Sequence, residues 1–409
     1  MKLKLKPHTK KFFSFLLVAA LVVSTAHGLT IGASAASKVV LNVYNWGEYI
    51  DLEVIDMFEE QYPNIKVNYT TYDSNEAMYA KIVSGAASYD IVIPSDYMIS
   101  KLIEEDLLAE LNFDNIPNYK YIGEAYKNLS YDPENKYSVP YLWGTWVIIY
   151  NSAYVSEEDV KDESINLLWN EKYAGKILMF DNPRDAFGLA LMFLGYSLNT
   201  ENPEEWQEAA EKLNSQKSIV QAYVMDAIFD KMGSGEAWIA PYYAGDAIII
   251  QEDNPDIDFY IPSEGTNLFF DAMCILKTTE HQEEAEAFIN FMCDPEISAM
   301  NAEAVGYATP NTDTLDLLDE EITDNPLIYP DTDYLLENSE VFVNLPTTIQ
   351  SLQSELWTSL KIVSSEEEDE AVLDWIDWFC IISAAVIVVA GIYFAVRSSK
   401  RKKLHKSPS

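Results

Sequence analysis

The chain runs to 409 residues, 48% of them apolar, and carries 27 basic against 66 acidic side chains for a net charge of −39. A surface of that sign repels DNA, RNA and anionic lipid and draws cations, so nucleic-acid partners are excluded. The length allows two domains. Away from the chain ends the only histidine is His281, on a polar helix start in TTEHQEEAEAF, a poor base for a Ser-His-Asp triad or a zinc site.

In chain order, a basic stretch (MKLKLKPHTKK), an apolar one (FFSFLLVAALVVSTA) and small residues ending in GASAAS make 1–36 an expected signal peptide, the alternative being an uncleaved anchor. KVVLNVYNW predicts a strand ending at Trp46, and KVNYTTY a second. SNEAMYAKIVSG predicts a helix capped by Ser74, with Met78, Tyr79, Ile82 and Val83 on one face and Gly85 at its end. DIVIPS is a wholly apolar strand stopped by Pro94; TWVIIYN and GKILMFD are further strands. RDAFGLALMFLGYSL and PEEWQEAAEKL read as helices, the latter with Trp206, Ala210 and Leu213 on one side. NLFFDAMCIL is a strand, and EAEAFINFM a helix with Ala285, Phe288, Ile289 and Met292 in one stripe. Apolar strands alternating with amphipathic helices predict an α/β fold whose sheet is parallel and covered on both faces. Cys274, on the strand, and Cys293, on the helix, could form a disulfide in an oxidising compartment or stay buried thiols.

Beyond the folded part, 364–374 begins with SSEEEDE, a self-repelling acidic spacer. The stretch 375–396 holds one charge, Asp377, and spans roughly 30 Å as a helix, the expectation for a transmembrane segment. Trp375 and Trp378 mark one edge; Arg397 and the basic residues after it mark the other, so 397–409 is expected in the cytoplasm and 38–363 outside it. Eleven of the 27 basic residues lie in the two end segments, which hold no acid, so the rest of the chain sets 16 bases against all 66 acids.

Polar and aromatic side chains cluster just past the apolar strands: Trp46 and Tyr49 after LNVYN, Ser95 and Tyr97 after IVIP, Asp181, Asn182 and Asp185 after ILMF, Asp271 after LFF. Ligands of open α/β sheets bind beyond the carboxyl ends of strands. Taken singly, Trp46 fits a core, Asp185 a helix N-terminal acid, and Tyr242 and Tyr243 a packed turn; together they point to a site. Carboxylates beside aromatic faces suit organic cations. A cation over a ring gains about 0.5–2 kcal/mol, and a charge-assisted hydrogen bond about 1.5–3 kcal/mol. Two ammonium ends with methylenes between rings then reach about −8 kcal/mol, or micromolar binding, after ordering costs.

The strings VYNWGEYI, YDSNEAMYAKI, YDIVIPSDY, NKYSVPYLWGT, DNPRDAF, EGTNLFFDAM and AVGYATPN, spread in order between Val39 and about Leu360, resemble the spermidine/putrescine-binding proteins of ABC transporters. The resemblance implies a two-lobed, periplasmic-binding-protein-like (type II) fold whose lobes close by a hinge on a polyamine. It implies an N-terminal lobe of 38–145 and 268–315 and a C-terminal lobe of 146–267 and 316–363. It further implies a monomer with no cofactor, metal or catalytic residue that serves ABC permease subunits with a cytoplasmic ATPase; the C-terminal helix is expected to hold it to the membrane.

By motif, ligand contact is implied for Trp46 and Tyr49 with Glu48 between them, for Ser95 and Tyr97, for Asp271 as the central carboxylate, for Asp185 where glutamate is normal, and for Tyr307 as an aromatic wall. Tyr243 and Phe269 stand where tryptophan is common. Asn182 stands where aspartate is usual and Phe342 where a glutamine is expected, which leaves the choice between diamine and triamine open; Asp246, in AGDA, has no assigned place. The alternatives are a binding protein of the same fold for another small organic solute, a carboxylate-based enzyme, and a sensor acting through a partner.

Overall fold

The structure, a computed structural model, describes residues 38–362. Its strands are β1 (Val39–Trp46), β2 (Ile65–Tyr72), β3 (Ile91–Val92), β4 (Ser138–Asn151), β5 (Ile177–Phe180), β6 (Val220–Val224), β7 (Ile239–Tyr243), β8 (Ile257–Tyr260), β9 (Thr266–Ile275) and β10 (Ser339–Glu340). They are ordered β2-β1-β3-β9-β4-β7-β5-β6, with β8 on β4 and β10 on β9. The helices that matter below are α1 (Leu52–Gln61), α2 (Asn75–Val83), α3 (Asp96–Glu104), α4 (Pro183–Phe193), α5 (Pro203–Gln216), α6 (Ala227–Gly233), α7 (Ala244–Asp253), α8 (Gln282–Met292) and α9 (Pro295–Val305).

The sheet is mixed rather than parallel. β1 pairs in parallel with β2 and β3, and β5 with β6 and β7. Between these two parallel groups run β4 and β9, antiparallel to each other and to β7 and β3 respectively. The departure has a simple cause: β4 has 14 residues, so it passes through both groups and is buried almost throughout. A strand hidden on both faces reads as uniformly apolar whichever way its neighbours run, so composition does not report direction.

Helices cover both faces. Ile91, Val92, Ile93, Trp146, Val147, Ile148 and Ile149 have no exposed surface. One apolar cluster packs Val54 and Phe58 of α1 and Phe288 and Ile289 of α8 on Leu41 and Val43. A larger one packs Phe187 of α4 and Trp206 and Leu213 of α5 on the other half of the sheet. Each such side chain, fully buried, contributes about 1.5–3 kcal/mol.

Local signals hold closely. Ser74 caps α2 by accepting from the Ala77 N–H at 3.2 Å, and Gly85 follows at a φ of 64°. Only Asn75 and Met78 of α2 are buried, however, and Val83 is exposed. Asn182 and Asn202 cap α4 and α5, with proline in the first turn of each. Cys274 and Cys293 are buried free thiols, and burial pushes both above their ordinary pKa, Cys293 to about 12.

The fold class needs one correction. Among the described residues no helix is long and apolar enough to cross a membrane. The 14-residue α5 is shorter than the roughly 20 residues a span requires. What is described is the α/β fold alone. The stretch 375–396, with the segments 1–36, 364–374 and 397–409, lies outside the described residues.

Candidate functional site

Between the two halves of the sheet lies a narrow slot of about 60 Å³ lined by Trp46, Tyr49, Ser95, Tyr97, Asn182, Asp185, Tyr243, Phe269, Asp271 and Tyr307. Those are ten of the eleven side chains expected to contact ligand; Tyr242, Asp246 and Phe342 line it as well, while Asp181 pairs with Lys361 elsewhere. About 10–15 Å³ accommodates one water-sized sphere, so the slot is thin. Glu48 is the exception. It sits in the turn after β1 with a positive φ of 42°, is exposed, and faces an outer recess with Asp226, Asp230 and Asp246.

Strand ends deliver most of the wall. Trp46 closes β1, Ser95 follows β3 and precedes α3, Asn182 and Asp185 open α4 after β5, and Tyr243 closes β7. Asp271 differs from expectation by lying inside β9, not past its end. It opposes Leu142 beside the irregularity between Pro140 and Leu142 of β4, and it bridges to Ser95. A bulge re-aims side chains locally, which is how a mid-strand carboxylate reaches the slot.

Asp271 is 4% exposed. Its Oδ2 accepts from the Tyr49 hydroxyl at 2.8 Å, while its Oδ1 is buried without a partner. Burial pushes its carboxyl up to about 6, and hydrogen bonding from Ser95 and Tyr49 pulls the other way. Asp185 accepts from Tyr243 Oη at 2.7 Å and from Trp146 Nε1 at 3.2 Å; burial takes it to about 7. Neither acid is in any ion pair among the described residues.

The rings form a continuous lining. Tyr243 meets Phe269 edge-on at 5.3 Å, Phe269 meets Tyr307 at 6.1 Å, and Tyr307 meets Tyr49 at 4.9 Å. Tyr97 packs on Phe342 at 5.8 Å, so an aromatic face stands where an amide was expected. Phe342 carries the buried Arg184 guanidinium 4.3 Å over its ring. Asn182 lines the slot, yet its oxygen is engaged in the α4 cap, accepting from the Arg184 N–H at 3.2 Å. Trp46 stacks obliquely on Tyr72 at 4.6 Å, with its Nε1 buried and unpartnered. Unpaired buried groups are costly, and here two of them line one cavity.

Several lining residues were not singled out by motif. Asp73 directly follows β2, a strand the sequence does predict, while Asp226 follows β6 and Asp246 follows β7 by three residues, so the strand-end rule reaches Asp73 at once and reaches the other two only with β6 and β7 recognised. Trp146, the second donor to Asp185, is hidden in an apolar run. Two glycines make room. A Cβ on Gly47 would come within 1.9 Å of Asp226 Oδ2, and one on Gly245 within 2.1 Å of the Tyr307 ring. Gly245→Ala is therefore expected to displace Tyr307 and destabilise the fold by about 1–3 kcal/mol; chemical denaturation reads this, and an unchanged midpoint would mean the ring can yield freely.

No three His, Cys, Asp or Glu side chains among the described residues converge as metal ligands. The arrangement instead offers spaced carboxylates on an aromatic wall, fit to hold an elongated organic cation between two halves of a sheet.

Comparison with known proteins agrees with that class. Residues 53–330 match the family described as bacterial extracellular solute-binding protein, and the chain belongs to that family. It is 32% identical over 340 residues to the spermidine/putrescine-binding periplasmic protein of Escherichia coli (strain K12), covering 82% of this chain and 96% of that one. A solved Listeria monocytogenes structure, provisionally assigned by its description to a spermidine/putrescine ABC transporter, is 43% identical, with a TM-score of 0.75 over 79% of this chain and 99% of its own. The spermidine/putrescine ABC transporter substrate-binding protein PotD of Streptococcus pneumoniae is 40% identical, with a TM-score of 0.66 over 80% and 99%.

Proposed function

We propose that this chain is the substrate-binding component of an ABC transporter that captures putrescine or spermidine outside the cytoplasm and delivers it to permease subunits driven by a cytoplasmic ATPase. The observation that carries the reading is the pair of buried carboxyls, Asp185 and Asp271, each held by a tyrosine hydroxyl, facing an aromatic slot and in no ion pair among the described residues. Alkylamines keep their charge at neutral pH because their pKa lies near that of lysine, about 10. The rings sandwich the methylenes, the carboxylates take the ammonium groups, and water is excluded as the halves close.

In this reading 38–145 with 268–315 and 146–267 with 316–363 act as the two lobes, hinged where β4 and β9 cross. The protein holds its ligand and does no chemistry on it, so polyamine recovered after long incubation should be unchanged.

Thermal unfolding with a ligand panel tests the proposal. At a hundred times the dissociation constant a ligand adds about 2.7 kcal/mol, which should raise the midpoint by about 4 °C or more. Putrescine or spermidine should do so, and 1,4-butanediol, of similar length but uncharged, should not. Equal response to the diol, or none to any amine, would refute the reading.

A further inference from the structure

A second cavity, of about 320 Å³, lies beyond Tyr97, which lines both it and the slot. At about 10–15 Å³ for one water-sized sphere it is the roomier of the two. The Tyr97 hydroxyl turns away from the slot's acids and donates to Glu76 Oε1 at 3.0 Å. The walls come from both segments read above as lobes: Glu76 of α2 and Lys101 of α3 from one, Arg184 of α4 and Gln353 from the other.

Arg184 is 2% exposed, yet it is in no ion pair among the described residues. Its Nη2 donates to Asn199 Oδ1 at 2.9 Å and to the Val343 carbonyl at 3.4 Å, while its Nε and Nη1 are buried without a partner. Burial draws its pKa down to about 10, so it stays charged at neutral pH. Gln353 Nε2 and Glu76 Oε2, from the same wall, are likewise buried without a partner. The other two charges of the wall are answered: Lys101 holds Gln350 and Glu105, and Asp181 pairs with Lys361. A buried charge is costly unless it is paired. Three donor nitrogens and one acceptor oxygen, with an unanswered positive charge, call for negatively charged oxygens and one hydroxyl.

We propose that this cavity is a second binding site, for a small oxyanion bearing an O–H (a phosphate or a hydroxy acid), whose oxygens accept from Arg184 and Gln353 and whose hydroxyl donates to Glu76. An occupant held by both lobes favours their closed arrangement. Coupling between sites is reciprocal, so the oxyanion and a polyamine in the slot raise each other's affinity. That coupling rests on the polyamine reading; the oxyanion site does not.

Titrations of the full chain with inorganic phosphate and with lactate, in chloride at constant ionic strength, test the site. At least one should bind with a dissociation constant of about 1 mM or below, and the tighter of the two identifies the oxyanion. Gln353→Leu removes one charge-assisted hydrogen bond and should weaken that binding about tenfold; Arg184→Gln should abolish it. Should Arg184→Gln fail to fold, as thermal unfolding would show, the leucine variant decides alone. Calorimetry with putrescine then reads the coupling: saturating oxyanion should tighten putrescine by about fivefold or more in the wild type, and the same concentration should tighten it less in Gln353→Leu. An equal gain in both would be a salt effect and would overturn the coupling. No oxyanion binding, or binding that the substitutions leave unchanged, would overturn the site while leaving the polyamine reading intact. Oxyanion binding, weakened as expected by the substitutions, in a chain that takes no amine would support the site and remove that reading.

Discussion

Asp271→Asn is expected to weaken polyamine binding about a hundredfold, with little loss of unliganded stability. Asp271 lies inside β9, is almost wholly buried, and presents an oxygen with no partner among the described residues. Removing its charge leaves an ammonium buried against a neutral amide, and truncating one partner of a buried charge pair costs about 2–5 kcal/mol. At 1.4 kcal/mol per decade, about 3 kcal/mol is a hundredfold. The amide keeps the acceptor that Tyr49 uses, so the β9–β4 pairing and the Tyr49–Tyr307 contact stay in place. Calorimetry reads the affinity and thermal unfolding the fold. Unchanged affinity would remove Asp271 from the site.

The second large effect is on pH. In the fold, burial holds protons on Asp271 up to about 6, on Asp185 up to about 7 and on Asp246 up to about 8, against a reference of 3.8 for each. Between the reference value and those values the folded state binds more protons than the unfolded one. The unliganded protein should therefore lose stability as pH rises from about 4 through 8. Asp96 and Glu76, also raised chiefly by burial, act in the same direction. Asp159, held low by hydrogen bonds from Lys172, Ser156 and Tyr173, works oppositely but only below its reference value.

A bound polyamine inverts the dependence, because ammonium groups favour the ionised acids. Each proton that must leave costs about tenfold in affinity per pH unit below the folded pKa. From Asp185 and Asp271 alone, affinity should drop about a hundredfold from pH 8 to pH 5.5. Binding at pH 7 should release protons, measurable as a dependence of the calorimetric heat on the buffer's ionisation enthalpy. A flat affinity with no proton release would mean that these carboxyls do not meet the ligand.

Much of this architecture could be read from residue order, because its signals are local. A serine cap at Ser74, proline at the start of α4 and α5, and the stripe of Ala285, Phe288, Ile289 and Met292 each act within a few residues. Strand direction could not be read, since β4 and β9 are buried on both faces and look alike in either orientation. The site showed the same divide. Trp46, Ser95 and Tyr243 stand at strand ends, where position alone marks them. Asp271 is expected from its place after LFF and from its motif alike, although it lies inside β9 and a bulge in β4 aims it. Asp246 and Asp226 went unassigned because their significance depends on Tyr307 and Gly47, which reach them from elsewhere in the chain. Glu48 was drawn in by adjacency to Trp46 and Tyr49, yet one left-handed turn residue suffices to send it outward.

The most direct measurement is mass spectrometry of the small molecules released on denaturing the purified full chain, before and after exposure to a polyamine mixture. About one polyamine per chain should be recovered, chemically unaltered. A chain that carries no amine as purified, and retains none after exposure at millimolar concentration, would contradict a cleft made to hold one.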